Sequence, residues 1–131
     1  MTFATNFKHQ LETRHEYKDR RGKEQAEEID RCYEAVDLRD RSVCRVTGEF
    51  LTLGHSDPHK RKERHHMIRR SRGGLHQTAN VLTVSAFIHA QDHAGKIRLS
   101  GDANLKDLLG NFCGVKLERI TEGGWRTERM L

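Results

Sequence analysis

The stretch ERHHMIRRSRGGLHQTANVLTVSAFIHAQDH, residues 63–93, carries the densest structural signals of this 131-residue chain. Residues 66–68 can begin a strand, and the β-branched run over residues 81–84 predicts a second, short one. Ser85 is placed to cap a helix that continues to about Ala94. The order predicted here is therefore a strand, a long turn containing two adjacent glycines, a second strand and a helix.

Four histidines lie on the predicted first strand and on the predicted helix. His89 and His93 lie four residues apart on the predicted helix, so both imidazoles share one face and can bind one cation. His65 and His66 are adjacent on the predicted strand, so their side chains point to opposite faces. One can face the helix pair while the other faces a solvent cleft. A single histidine pair more commonly packs at a surface or in a core, and only the combination favours a metal site.

Positive charge is concentrated in residues 60–72. This segment holds one acidic residue, Glu63, and seven basic ones: Lys60, Arg61, Lys62, Arg64, Arg69, Arg70 and Arg72. Because the net charge of the whole chain is +5, the remainder is nearly neutral, and such a patch is typical of proteins that bind a polyanion. An isolated basic run is also compatible with a solvated loop. The histidines in the same stretch favour phosphate binding beside a metal.

The N-terminal region has a different character. Residues 1–21 are polar and of mixed charge, which predicts a loosely held arm. Residues 22–40 carry one apolar stripe at spacings of three, four and three, which predicts an amphipathic helix that packs on the rest of the domain. The stripe consists of Ala26, Ile29, Tyr33 and Val36.

The composition excludes several classes of protein. No run approaches the ~18 apolar residues of a membrane span, and residues 1–30 lack the apolar core of a signal peptide. Three cysteines, an odd number, fit a reducing cytosol better than a disulfide framework. We therefore expect a cytoplasmic domain over residues 22–121, with peripheral strands near 96–99 and 115–120 and a tail over 122–131.

The combined pattern resembles the HNH endonucleases. The core motif covers residues 63–95, and CRVTG at residues 44–48 extends it upstream. The resemblance is to small HNH proteins of phages and prophages, and the histidine pair with two helix histidines is also similar to the nuclease colicins. It implies an α+β fold with a ββα-metal (His-Me finger) core, to which the N-terminal amphipathic helix and the peripheral strands are added.

The resemblance also implies roles for individual residues. His66 would be the general base, Asn80 would fix the long loop that aims it, and Glu63 would be an accessory acid. The metal ligands would be His65, His89 and His93. The residues along the DNA backbone would be Arg61, Lys62, Arg64, Arg69, Arg70 and Arg72.

One family feature differs in this chain. Many relatives hold a structural zinc with two C-x2-C pairs, but here the four places are Cys44, Thr47, Ser85 and Ile88. One thiol cannot make that site, so no structural zinc is expected and packing by the helix over residues 22–40 must supply the stability. A rival zinc site made of Cys44, His55 and His59 is less favoured, because Pro58 places the two histidines on a loop.

The implied activity is metal-dependent hydrolysis of DNA phosphodiester bonds with little sequence specificity, by nicking or by double-strand cutting. One divalent ion (Mg, Mn, Ni or Zn) would act with the histidine base and leave 3′-hydroxyl and 5′-phosphate ends. DNA would be the partner, no membrane is expected, and proteins of the phage terminase (DNA-packaging) machinery are partners by analogy alone. The alternative is a non-catalytic, metal-stabilised module that binds nucleic acid.

Overall fold

The computed structural model describes residues 13–69 and 72–130. The fold is mixed, with helices and two small antiparallel sheets, so the predicted α+β class is confirmed. The elements in chain order are α1 (Arg14–Asp40), β1 (Lys62–His66), β2 (Val81–Ser85), α2 (Ala86–His93), β3 (Ile97–Gly101), β4 (Val115–Thr121) and β5 (Gly124–Glu128). A short 3-10 turn, Thr78–Asn80, precedes β2.

Helix α1 begins at Arg14 rather than at Gly22, so residues 14–21 are helical and not part of an arm; residues 1–12 lie outside the described residues. The start is fixed by a capping box, in which the Thr13 hydroxyl accepts from the Glu16 amide (3.1 Å) and the Glu16 carboxylate accepts from the Thr13 amide (3.3 Å). The chain divides into two units within α1, after Arg31. In the described part of the chain, no helix combines the length and the apolar character needed to cross a membrane.

Strands β1 and β2 form an antiparallel hairpin in which His65 pairs with Leu82 and His66 with Val81. The prediction that the first strand starts at His66 was wrong, because β1 ends there. Just past His66 the Met67 amide still donates to the Asn80 carbonyl (2.9 Å), and the Asn80 side chain then binds the backbone of Ile68. All residues of β2 are buried, as a strand covered on both faces requires.

Helix α2 follows β2 directly and confirms the predicted cap. The Ser85 hydroxyl accepts from the Ile88 amide at 3.2 Å, and the helix ends at His93 with Gly95 in the left-handed region at φ 73°. Helix α2 packs against β1, β2 and β3. This packing brings the side chains of α2 over one face of the hairpin.

The second sheet has the order β3-β4-β5, and β3 and β4 occupy the two segments predicted as peripheral strands. Strand β5 lies within residues 122–131, where the sequence predicts a tail. It pairs with β4 so that Ile120 lies opposite Trp125, and the Thr121 hydroxyl donates to the Gly124 carbonyl to close the turn. The larger apolar core joins both sheets and α2, and consists of Cys44, Val46, Leu51, Leu82, Val84, Ile88, Ile97, Leu99, Ala103 and Leu117.

The last turns of α1 are tied to β2 by a small apolar cluster and a buried ionic network. Cys32 and Val36 pack with Val81. The fully buried carboxylate of Asp40 accepts from the guanidinium groups of Arg39 and Arg45 and from a backbone amide of β2. These contacts pack the end of α1, from Cys32 onward, against β2.

Candidate metal centre and basic segment

Three histidines from two separate elements meet between β1 and α2. His65 comes from β1, and His89 and His93 come from successive turns of α2. One ring nitrogen from each lies within 4.8 Å of the others, and Nδ1 of His65 lies 2.9 Å from Nδ1 of His89. The three histidines are therefore close enough together to hold a metal ion.

The nitrogen spacing fits the dimensions of a metal site. Two imidazoles bound at about 2.1 Å to one ion are separated by about 3.0 Å at an octahedral right angle and by about 3.4 Å at a tetrahedral angle. The 2.9 Å between the Nδ1 atoms of His65 and His89 is close to the first value. Helical spacing brings the third ring alongside, with the His89 and His93 centroids 4.4 Å apart.

Burial decreases across the cluster, from His65, which is 1% exposed, through His89, which is partly buried, to His93, which is exposed. Burial lowers the pKa of His89, and the neighbouring His65 and His93 lower it further, while Glu63 and Asp92 act in the opposite sense. The lowered pKa keeps the His89 ring neutral at neutral pH. A neutral imidazole is the form that binds a metal.

Two carboxylates approach the outer nitrogens of these rings. Oδ2 of Asp92 lies 3.4 Å from Nε2 of His65, and Oε2 of Glu63 lies 3.7 Å from Nε2 of His89. Glu63 was singled out in the sequence, whereas Asp92 was missed. The sequence did contain a signal for Asp92, because it lies three residues after His89 and therefore on the same face of the helix.

His66 points away from the three-histidine cluster, as alternation along a strand requires. Its ring lies edge-on to Tyr33 of α1, with centroids 6.2 Å apart, and its Nε2 lies 3.1 Å from Nδ1 of His76. His76 is in the loop before β2 and was not assigned a role from the sequence. It is the second site residue that sequence reasoning missed.

Asn80 closes the loop between the two strands. Its side-chain oxygen accepts from the Ile68 amide (2.8 Å), and its amide group donates to the carbonyls of Ile68 (3.1 Å) and Leu75 (3.2 Å). Gly74 lies against the same backbone, where an added Cβ would be 1.8 Å from the Ile68 carbonyl oxygen. Asn80 and Gly74 therefore both pack against the loop backbone at Ile68, within the described parts of the loop.

The basic segment divides into two groups. Lys62, with a side chain only 8% exposed, and Arg64 both contact the Asp37 carboxylate of α1. The charges of these two side chains are therefore already paired within the protein.

Among the described residues, the other basic side chains proposed from the sequence to contact DNA form no ion pair with Asp37. Arg61 donates to the His55 carbonyl, Arg69 contacts Asp92 at 3.6 Å, and Arg72 is exposed. Arg70 lies outside the described residues. The segment thus presents part of its charge to solvent.

The residues of the rival zinc site have other surroundings. Cys44 lies in the larger core and is 1% exposed. His59 stacks on Phe87 with ring centroids 4.2 Å apart, and Nδ1 of His55 accepts from the Asp57 amide. Each of these side chains contributes to local packing or to a turn.

Comparison with known proteins adds no relative to this description. No protein-family model matches the chain, and neither the curated proteins nor the solved structures match it. The candidate function therefore depends on the geometry of the site itself.

Proposed function

We propose that this protein is a metal-dependent HNH endonuclease whose β1, β2 and α2 form a ββα-metal core. The observation that carries the proposal is the convergence of His65, His89 and His93, which are brought together by the hairpin and the helix that follows it. Support also comes from Asn80, whose three hydrogen bonds fix the loop beside His66.

The ligand set favours catalysis over a closed structural site. The residues that would hold the ion are three imidazoles, and a tetrahedral structural site needs a fourth protein ligand. Glu63 approaches Nε2 of His89, the nitrogen on the opposite side of the ring from the Nδ1 that faces His65. It is therefore poorly directed to act as the fourth ligand, and an ion held by the three imidazoles would be open to water and a phosphate oxygen.

The remaining roles belong to side chains of this chain. A bound divalent ion supplies charge neutralisation at a phosphate and at the departing 3′ oxygen. His66 takes the proton from the attacking water, and His76 orients the His66 ring through its hydrogen bond. We propose that Arg61, Arg69 and Arg72 contact the DNA backbone, whereas Lys62 and Arg64 act through Asp37 to hold α1 against β1.

The test is relaxation of supercoiled plasmid by the purified protein with Mn²⁺ or with EDTA, alongside circular dichroism of the same samples. We expect Mn²⁺-dependent cutting, and we expect EDTA to abolish cutting while the fold persists. His93→Ala should reduce both metal binding and cutting. His15→Ala removes an imidazole that is 86% exposed in α1 and is the matched control.

Two outcomes would contradict the proposal. Cutting that is unchanged by EDTA would show that the reaction does not need a metal ion. Metal binding and DNA binding without any cutting, together with loss of the fold in EDTA, would instead identify a metal-stabilised nucleic-acid-binding module.

A further inference from the structure

We infer that Asp92 is a positioning residue that sets the tautomer and the ring orientation of His65 for metal binding. The inference rests on the metal site of the proposed function and adds to it a residue outside the three-histidine set. Asp92 would act on the ion only through His65. Its carboxylate would accept a hydrogen bond from the N–H group at Nε2, so that the lone pair of Nδ1 is directed at the cluster.

The first observation is the environment of the His65 ring. His65 is 1% exposed, and its Nε2 is buried without a hydrogen-bond partner of ordinary geometry among the described residues. The Oδ2 atom of Asp92 lies 3.4 Å from that nitrogen. A buried ring nitrogen without a hydrogen-bond partner lowers the stability of the folded protein. A small rotation of either side chain would shorten this contact to a hydrogen bond.

The second observation is the placement of Asp92 itself. Its side chain is 11% exposed and lies in the last turn of α2, where the helix dipole disfavours a negative charge. Burial and the dipole both oppose a carboxylate here. Arg69 offsets them, because Nη2 of Arg69 lies 3.6 Å from Oδ1 of Asp92 and 3.3 Å from its backbone carbonyl oxygen.

The third observation is the direction of the other His65 nitrogen. Nδ1 faces Nδ1 of His89 at 2.9 Å, so it is the atom available to a shared ion. If Asp92 holds the His65 proton on Nε2, the contact between the two rings in the metal-free protein requires the proton of His89 to be on Nδ1. Carboxylates that receive the outer N–H of a ligating histidine raise the basicity of the ring and fix its orientation.

The metal-free test is the protonation pattern of His65, read by ¹⁵N NMR of the imidazole nitrogens. We expect His65 to carry its proton on Nε2 in the unaltered chain and to shift toward a mixture of tautomers in Asp92→Ala. A His65 ring with its proton on Nδ1 in the unaltered chain would overturn the inference. This reading is independent of whether the protein binds a metal.

The metal test is the affinity for Ni²⁺ measured by calorimetry. Asp92→Ala should weaken binding by about 10- to 100-fold, and Asp92→Asn should weaken it less, because an amide oxygen can still accept from Nε2. Glu122→Gln, which removes the same charge at an exposed turn, should bind like the unaltered chain. The thermal transition of each metal-free variant, followed by circular dichroism, checks that it is folded.

The failures of the two proposals can be told apart. An unaltered chain that binds no Ni²⁺ contradicts the proposed metal site, and the NMR reading still decides the relation between Asp92 and His65. Equal Ni²⁺ affinity in the unaltered chain and both Asp92 variants overturns the positioning role. If both Asp92 variants lose as much Ni²⁺ affinity as His65→Ala does, the positioning role is also overturned, because Asp92 would then bind the metal directly.

Discussion

His66 and His76 form the contact on which the proposed base depends. Nε2 of His66 lies 3.1 Å from Nδ1 of His76, and a hydrogen bond between two neutral imidazoles fixes which nitrogen of each ring holds a proton. When His66 donates Nε2–H to His76, Nδ1 becomes the basic nitrogen of His66. A single side chain in the loop thus sets the direction in which the base accepts a proton.

At the residue scale, we predict that His76→Ala lowers kcat for plasmid cutting by about 10- to 100-fold, which is part of the 10²- to 10⁴-fold that a general base contributes. KM should change little, because His76 acts through His66. His76→Asn should recover part of the loss, since the Asn side-chain oxygen occupies roughly the place of Nδ1. Steady-state kinetics on the two variants checks this.

A different pattern would argue against the role of His76. Equal loss in His76→Ala and His76→Asn, or a change confined to KM, would indicate that the residue acts only by holding the loop.

Some residues of the site were predictable and others were not. The pairing of His89 with His93 follows from helical spacing, and alternation along the strand separates His65 from His66, which are local rules. The choice of His65 as the third ligand came from the resemblance to the HNH endonucleases. His76 was not predictable in this way, because its partner His66 is reached through the loop that Asn80 and Gly74 fold. Pairings set by a folded loop leave no periodic signal in the sequence.

The loop between β1 and β2 is the element that joins the strand carrying His65 and His66 to the rest of the site. Asn80 binds its backbone at Ile68 and Leu75, and Gly74 packs directly on the Ile68 carbonyl. The backbone at position 74 can approach Ile68 this closely only if it carries no side chain.

We therefore predict that Gly74→Ala destabilises the protein by about 1–3 kcal/mol, the range for inserting an atom into a packed region. The added Cβ would meet backbone atoms, at 1.8 Å from the Ile68 oxygen, so no side-chain rotation relieves the contact. Urea unfolding measures the change. Gly22→Ala, at a helical position where a Cβ meets nothing within 4 Å, is the control and should not destabilise.

The second element-scale feature is the connection between α1 and β2. Asp40 has a fully buried side chain that accepts from Arg39, from Arg45 and from the Thr83 amide. Removing one partner of a buried ion pair leaves an uncompensated charge.

Asp40→Ala should lower the free energy of unfolding by about 3–5 kcal/mol, as measured by urea unfolding at pH 7. The buried guanidinium of Arg45 would lose its carboxylate partner, which is the physical reason for the loss. Glu122→Gln, an exposed change of the same charge, should have almost no effect. Equal stability of Asp40→Ala and the unaltered chain would show that the network contributes nothing.

Elements were predicted best where their signals are local. The predicted cap at Ser85 and the predicted end near Ala94 bound α2 correctly. The start of α1 was missed although Thr13 and Glu16 form a capping box, because residues 1–21 are polar, of mixed charge and carry few apolar anchors. The contacts of Lys62 and Arg64 with Asp37 span more than twenty residues, and a run of basic residues cannot show which of its charges are already paired.

At the scale of the whole molecule, the pH dependence of stability should include a contribution from Asp40. Burial raises the pKa of this carboxyl, but hydrogen bonds from Arg39 and Thr83 and the charge of Arg39 outweigh it, so the pKa lies below its ordinary value. Such a group stabilises the fold above its unfolded pKa of about 3.9. The contribution is lost as pH falls through the folded pKa.

The difference in unfolding free energy between the unaltered chain and Asp40→Asn should therefore be constant from pH 7 to about 5 and should shrink below about pH 4. Urea unfolding across that range measures it. A difference that shrinks between pH 7 and 5 would show that another group is responsible.

The most direct measurement combines metal occupancy and plasmid cutting in the same samples of the unaltered chain and His66→Ala. We predict one bound divalent ion per chain in both proteins, and relaxation of supercoiled plasmid only by the unaltered chain. In the proposed mechanism, His66 takes a proton while His65, His89 and His93 hold the ion. Cutting by His66→Ala at the unaltered rate, or the absence of a bound ion in a chain that cuts, would contradict the account.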